Sequence, residues 1–284
     1  MALPDYIIVG AMKCGTSTLA AQLGAQDGVF MTDPKEPNFF SDDEVYAKGP
    51  EWYEALFAAA EPQDLKGEAS THYTKRPTYP LALDRLADAV PSPKIIYMIR
   101  NPLVRAVSHY IHEWSQGVIG SDLETALESH PEIVSYGCYG AQIAPWVKRF
   151  GAENVLVLTL EALKANPQAA LTDVGRFLGR QDLVWQTELA QVNVSAERTR
   201  RFPLQGLLID NPVATWLRRT LVPQALRDRI KAGRQMQERP ELSPGQVARL
   251  TALYAEDHAR LRELFPDRAD LDLAYPFLKA GADA

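Results

Sequence analysis

Only two cysteines, Cys14 and Cys138, occur in 284 residues. They are too few for a disulfide framework, and such a chain suits a reducing compartment. No apolar run approaches the roughly 20 residues of a membrane-spanning helix. The N-terminus, Met1-Ala2-Leu3-Pro4-Asp5, lacks the basic stretch of a secretory leader, and β-forming residues begin at Tyr6. The expectation is a cytoplasmic chain. Positive charge is short as well, with 30 Lys and Arg against 36 Asp and Glu and a formal net charge of −6. A generally acidic surface repels nucleic-acid phosphates, so no nucleic-acid partner is expected. Repeats and low-complexity tracts are absent. What is present, 46% hydrophobic and 23% charged residues, is ordinary globular composition and can fill one large core. The chain therefore reads as a single domain over 1–284. An α/β part covers about 1–190, and a loop-rich, helical part covers about 190–284.

The rest of the chain is organised around Tyr6-Ile7-Ile8-Val9-Gly10-Ala11-Met12-Lys13-Cys14-Gly15-Thr16-Ser17-Thr18-Leu19. An uncharged run of β-formers reads as a buried strand of a parallel sheet. A small-residue loop and a helix start follow it, which together make an anion site. Gly10, Gly15 and Ser17 keep the spacing of the nucleotide-binding P-loop, Gly-x4-Gly-Lys-Ser/Thr. Thr16, however, stands where the lysine belongs, and Lys13 lies inside the loop instead. Without the lysine that grips β- and γ-phosphates, phosphoryl transfer from a nucleoside triphosphate is disfavoured. A donor with a shorter anionic chain fits better.

Further along, Gly28 to Met31 reads as a second strand. Thr32 to Phe40, with two prolines around Lys35-Glu36, reads as a rigid loop. Helices are expected over Glu51–Ala60, Pro80–Val90, Leu103–Trp114, Leu123–Glu128, Tyr139–Phe150 and Pro167–Leu178. Strands are expected over Asp64–Ser70, Lys94–Ile99 and Val155–Thr159. Short apolar strands alternating with helices predict a central parallel sheet of about five strands covered on both faces, an α/β/α arrangement of the P-loop type. After about residue 190 the strand signals stop. Helices then read over Pro212–Arg219, Pro223–Lys231 and Ser243–Leu264, with Ser243-Pro244 as an N-cap followed by proline.

Ligands of such sheets bind beyond the carboxyl ends of the strands. The Lys13–Thr18 loop, the Lys35-Glu36 loop, Ser70–Tyr73 and Arg100 all fall there. Ser108, about two turns into the helix after Arg100, can share a ligand with it. An arginine and a hydroxyl make a clamp for a second phosphate. Taken singly, Arg100 reads as a strand-end salt bridge and Ser108 as a packing hydroxyl. Their combination with a displaced-lysine loop is far more specific.

These residues resemble the sulfotransferases that use 3′-phosphoadenosine 5′-phosphosulfate (PAPS), in a bacterial branch similar to heparan sulfate sulfotransferase domains. Gly10–Leu19 resembles that family's 5′-phosphosulfate loop, and Ile95–Tyr110 its 3′-phosphate motif. Lys35–Phe40 resembles its acceptor-side loop, Tyr136–Tyr139 the segment before its central helix, and Leu253-Tyr254, Asp257, Leu261 and Leu264 its last helix. The resemblance implies that Lys13, Cys14, Gly15, Thr16, Ser17 and Thr18 hold the 5′ side of the donor. It implies that Arg100 and Ser108 hold the 3′-phosphate, without a metal. Lys13 would also act on the leaving phosphate, and Glu36 would be the general base. The product would be 3′-phosphoadenosine 5′-phosphate (PAP).

Two departures qualify the likeness. The lysine that follows the third-strand glutamate in heparan-type enzymes is replaced, since Ala69 follows Glu68. His72 lies nearby and is the second candidate for the base. The family's basic loop over the 3′-phosphate is not intact, and Arg200 or Arg201 stands at about the right place.

Residues 198–239 carry ten basic and three acidic residues. The segment reads either as a solvated helical face or as a lid or interfacial surface, so peripheral membrane contact through 213–234 enters as an alternative. The expected acceptor is a hydroxyl of a small molecule, carbohydrate or lipid. A P-loop small-molecule kinase and a non-catalytic nucleotide-binding regulator are the alternatives.

Overall fold

A computed structural model describes residues 3–191, 236 and 238–280. Five parallel strands form one sheet in the order β2-β3-β1-β4-β5. They are β1 (Tyr6–Gly10), β2 (Val29–Met31), β3 (Leu65–Ala69), β4 (Lys94–Ile99) and β5 (Val155–Thr159). Every residue of β1 and β5 is buried. A strand buried on both of its faces needs cover on both sides, so the sheet is the middle of three layers. That is the α/β/α arrangement the sequence predicts. Among the described residues no helix is long and apolar enough to cross a membrane.

Ten helices accompany the sheet up to Leu178. They are α1 (Thr16–Gly24), α2 (Asp43–Tyr46), α3 (Pro50–Ala55), α4 (Ala82–Ala89), α5 (Pro102–Gln116), α6 (Leu123–Ser129), α7 (Glu132–Ser135), α8 (Tyr139–Phe150), α9 (Leu160–Ala165) and α10 (Pro167–Leu178). The sequence pattern locates β4, β5, α8 and α10 to the residue. It overextends α3, which stops at Ala55 and continues as turns toward Pro62. The N–H groups of Leu56, Phe57, Ala58 and Ala60 bond to carbonyls only three residues back, so the chain tightens into turns there. The pattern also misses α9, a helix of six residues whose start is capped by the Thr159 hydroxyl accepting from the Ala162 N–H at 3.1 Å.

The helix Pro244–Leu264 begins at a capping box, with Ser243 and Gln246 exchanging side-chain and backbone bonds. Its Asp257 accepts the N–H groups of Gly140 and Ala141 at 2.7 and 2.8 Å, and so closes the start of α8. A Cβ on Gly140 would stand 2.6 Å from the Asp257 carbonyl oxygen, so glycine is what lets the two helices touch. One turn earlier on the same helix, the Tyr254 hydroxyl donates to the Val134 carbonyl at 3.1 Å. Two motifs far apart in sequence, Tyr136–Tyr139 and Tyr254 to Asp257, thus form one packed joint. The expected helices Pro212–Arg219 and Pro223–Lys231, with Arg200, Arg201 and the 213–234 stretch, lie outside the described residues.

Candidate active site

The β1 strand and its neighbour β4 run side by side, and both lead into candidate residues at their carboxyl ends. From β1 the chain enters the loop Ala11–Gly15. The Ala11 N–H donates to the Met98 carbonyl at 2.7 Å, which ties the loop's start to β4. Gly15 is the N-cap of α1 at φ 87°, with no side-chain acceptor on the helix start. The first N–H groups of a helix have no intrahelical partner and concentrate positive potential. A Cβ on Gly15 would lie 2.8 Å from Leu160 of α9 and would need a left-handed backbone, so only glycine fits easily.

Within this loop Ser17, Thr18 and Lys13 are half-buried, whereas Thr16 and Cys14 are buried. The Cys14 side chain turns inward from the loop. Its thiol lies 3.4 Å from the Tyr139 hydroxyl in the core, and its N–H donates to the Ala11 carbonyl. Burial pushes that thiol up to about 11. Its side chain packs in the core rather than facing the loop's open side.

Arg100, just past β4, reaches back to the loop. Its Nη1 donates to the Lys13 carbonyl at 3.1 Å. Its Nε is buried without a hydrogen-bond partner among the described residues. A buried guanidinium N–H left unsatisfied is costly, so this one suits an absent acceptor. Ser108 sits in α5 on the helix's partly open side, with Val104 and His112 above and below it. The buried side of α5 holds Arg105, which sequence reasoning missed. It is wholly buried, donates through Nη2 to the Ile133 carbonyl and lies 3.4 Å from His109 Nδ1. An arginine on an otherwise apolar helical stripe was the only signal for it.

The Lys35–Phe40 loop is clamped to the end of β3. The Glu36 N–H donates to the Ala69 carbonyl at 2.9 Å, and the Asn38 N–H to the Ser70 hydroxyl at 3.1 Å. Ser70 in turn donates to Glu68 at 2.6 Å. Glu68 is wholly buried and also receives the hydroxyls of Tyr53 and Tyr73. Burial raises its pKa against those three donors. It is therefore a strut of the loop rather than a free base. Because Ala69 pairs with Ile8, this strut puts the Glu36 loop beside the end of β1.

Glu36 adopts φ 60° and Lys13 φ 67°, a region that residues with a side chain seldom enter. Glu36 Oε1 accepts from Lys35 Nζ at 2.7 Å and from the Thr71 hydroxyl at 3.3 Å. Burial pushes its pKa up, but Lys35, Lys75 and His72 outweigh that and hold the carboxyl below its usual value. His72, in the 3-10 turn Thr71–Thr74, stacks on Tyr79 at 4.5 Å. Its Nδ1 is buried with no partner among the described residues. Burial, helped by Lys75, lowers it to about 4, so the ring is neutral near neutral pH. The two candidate bases are thus neighbours. Lys75, on the same segment, was not singled out from the sequence.

A sulfotransferase domain model matches residues 3–259. Among curated relatives, the bifunctional heparan sulfate N-deacetylase/N-sulfotransferase 1 of Caenorhabditis elegans is 26% identical over 65% of this chain and 23% of its own length. Heparan sulfate glucosamine 3-O-sulfotransferase 3B1 of Mus musculus is 28% identical over 64% of this chain and 47% of its own. The chain thus spans 23% to 47% of the length of these relatives. Among solved structures, a sulfotransferase from Alicyclobacillus acidocaldarius superposes with a TM-score of 0.68 at 25% identity, covering 95% of this chain and 99% of that one. Mouse sulfotransferase SULT7A1, complexed with PAP, superposes at 0.54 with 17% identity over 99% and 89%, a likeness of fold.

Proposed function

Because the chain belongs to the sulfotransferase domain family, we propose that it moves a sulfuryl group from PAPS to a hydroxyl of a carbohydrate, small-molecule or lipid acceptor. The observation that carries the reading is the Arg100 guanidinium. It braces the Lys13 loop through one N–H and leaves its buried Nε unpaired among the described residues. A site for two separate phosphates, one on the loop and one at the end of β4, suits a 3′,5′-bisphosphorylated nucleoside.

The residues present fit that donor. The N–H groups at the start of α1, uncapped at Gly15, suit the 5′-phosphate, with Ser17 and Thr18 adding hydroxyls. Thr16 contributes its main chain, since its side chain is buried. Arg100 and Ser108 hold the 3′-phosphate, and Arg200 or Arg201 is proposed to cover it. The donor supplies an activated sulfuryl group on a phosphate leaving group. Lys13 is assigned the charge that builds on that leaving side. Glu36 takes the proton from the acceptor hydroxyl. Its pKa below the usual carboxylate value keeps it in the accepting form, and Lys35 and Thr71 fix its orientation through Oε1. His72, neutral and with an Nδ1 that has no partner among the described residues, is the second candidate.

Heparan-type relatives support a carbohydrate acceptor. The acidic net charge of −6 argues against a long polyanion. A cytoplasmic location is part of the same proposal.

The test is a thermal-shift comparison of PAP, ATP with Mg²⁺, and AMP. Stabilisation by PAP well beyond the other two is expected. A shift with ATP and Mg²⁺ but none with PAP sinks the proposal. Donor binding without a sulfated product from any acceptor would leave a nucleotide-binding regulator in its place.

A further inference from the structure

We propose that Lys75 is a further residue of the reaction centre, which binds a sulfate-type oxyanion on the acceptor side, opposite Glu36. The inference rests on the sulfotransferase reading and extends it to a residue outside the sequence motifs.

Lys75 follows the 3-10 turn that fastens the Glu36 loop. Thr71 of that turn donates to Glu36, and Thr74 donates to the Val9 carbonyl at 2.9 Å, next to the start of the Lys13 loop. The lysine is only 9% exposed. Yet no carboxylate lies within ion-pair distance of its ammonium among the described residues. The face of Tyr136, 6.0 Å away, is the contact its ammonium makes there. Desolvation of most of the side chain works against its charge, and one distant aromatic ring returns little of that cost.

The charged and titratable groups around it do not neutralise it. Glu36 and Lys35 face it from the loop after β2, and those two are already paired at 2.7 Å. Glu113, Arg105 and His109 face it from α5, with Glu113 set 3.6 Å from His109. His72 lies on its own segment and Tyr136 on the turn before α8. Burial lowers Lys75 to about 8, with Glu36 and Glu113 acting against the shift. At neutral pH it is therefore a cation in want of an anion. Ala69 leaves the end of β3 without a side-chain charge, so Lys75 is the described cation set against Glu36 besides Lys35.

The experiment titrates the PAP-loaded full chain with sodium sulfate by calorimetry at pH 7 and pH 9.5. Wild type, Lys75→Met and Lys75→Arg are compared. Wild-type affinity should fall across pH 8. Lys75→Met should bind sulfate at least about tenfold more weakly at pH 7, without pH dependence. Lys75→Arg should keep the affinity at both pH values. Equal sulfate affinity in wild type and Lys75→Met overturns the inference while leaving PAP binding, and the sulfotransferase reading, intact. Failure of wild type to bind PAP removes that reading and this one with it. If Lys75→Met does not fold, the wild-type pH dependence and its loss in Lys75→Arg decide alone. Repeating the titration with PAPS-loaded protein separates two sources of the oxyanion. Exclusion of sulfate identifies the group in transfer, and retained binding identifies an anionic substituent of the acceptor.

Discussion

Arg100 Nη1 donates to the main-chain carbonyl of Lys13 at 3.1 Å, across 87 residues of sequence. The contact braces the Lys13 loop, and the Nε of the same guanidinium is left without a partner among the described residues, which under the proposed function is where a phosphate binds. Replacing Arg100 by alanine should therefore weaken PAP binding by roughly 10- to 100-fold, the scale of one or two lost charge-assisted bonds. Calorimetric titration of PAP measures it. Lysine at this position should rescue poorly, since it has no planar fork to serve carbonyl and phosphate together.

Lys13 itself should matter more to rate than to binding. Lys13→Ala is expected to lower turnover by about 100-fold or more, as for other lost donors to a developing charge. PAP affinity should change far less, because the helix N-terminus and Arg100 remain. Parallel measurement of kcat and of the PAP dissociation constant separates the two effects. An equal loss in both would contradict the assignment.

Glu36→Gln and His72→Asn discriminate between the two candidate bases. Both groups are in the proton-accepting form near neutral pH, one held below the usual carboxylate value and the other near 4, so a pH profile alone does not choose. Glu36→Gln should abolish most turnover and leave the PAP-induced thermal shift in place. Its effect on stability should be small, since a half-exposed ion pair such as Lys35–Glu36 contributes about 0–1 kcal/mol. His72→Asn should retain activity if Glu36 is the base.

His109 predicts an acid-sensitive fold. It is 2% exposed, and burial lowers it to about 4 in the folded chain, although Glu113 opposes the shift. Unfolded, it titrates near the usual value of about 6.5. Between those values the unfolded chain binds more protons, so stability is lost as pH falls from about 6.5 toward 4. The melting temperature of wild type should drop between pH 7 and pH 5, and His109→Gln should flatten that drop.

Gly140→Ala tests the joint behind the site. The new methyl would meet the Asp257 carbonyl oxygen and the Leu261 amide nitrogen, at 2.6 and 2.9 Å. Both are backbone atoms of a packed helix and cannot swing aside. A loss of about 1–3 kcal/mol is expected, read as a melting temperature several degrees lower.

Local chemistry made much of this legible in advance. The strands Lys94–Ile99 and Val155–Thr159 announce themselves as uncharged β-formers between turn residues, because a strand buried on both faces has no place for charge. The loop Gly10–Thr18 is marked by glycine spacing and by a lysine displaced from its ordinary position. Glu36 was visible through two flanking prolines that forbid a helix. The short helix α9 was not visible, because six residues do not fill two turns of an apolar pattern and its start rests on a single hydroxyl. Arg105 and Lys75 escaped for another reason. Charged residues read as surface unless a motif claims them, and only three-dimensional packing shows that these two are inside.

The sequence by itself determined the alternating α/β order, the glycine-spaced loop after β1 and the family to which the chain belongs. These depend on residue type and spacing along the chain, which neighbours a few positions apart settle between them. Only the tertiary structure decided what each side chain faces. It turned Cys14 into the core, made Glu68 a strut rather than a base, set Glu36, His72 and Lys75 around one place, and brought Arg100 back to Lys13. Those outcomes come from contacts across tens of residues. They are fixed by the register of neighbouring strands and by which helix covers which end of the sheet, and no short stretch of sequence encodes them.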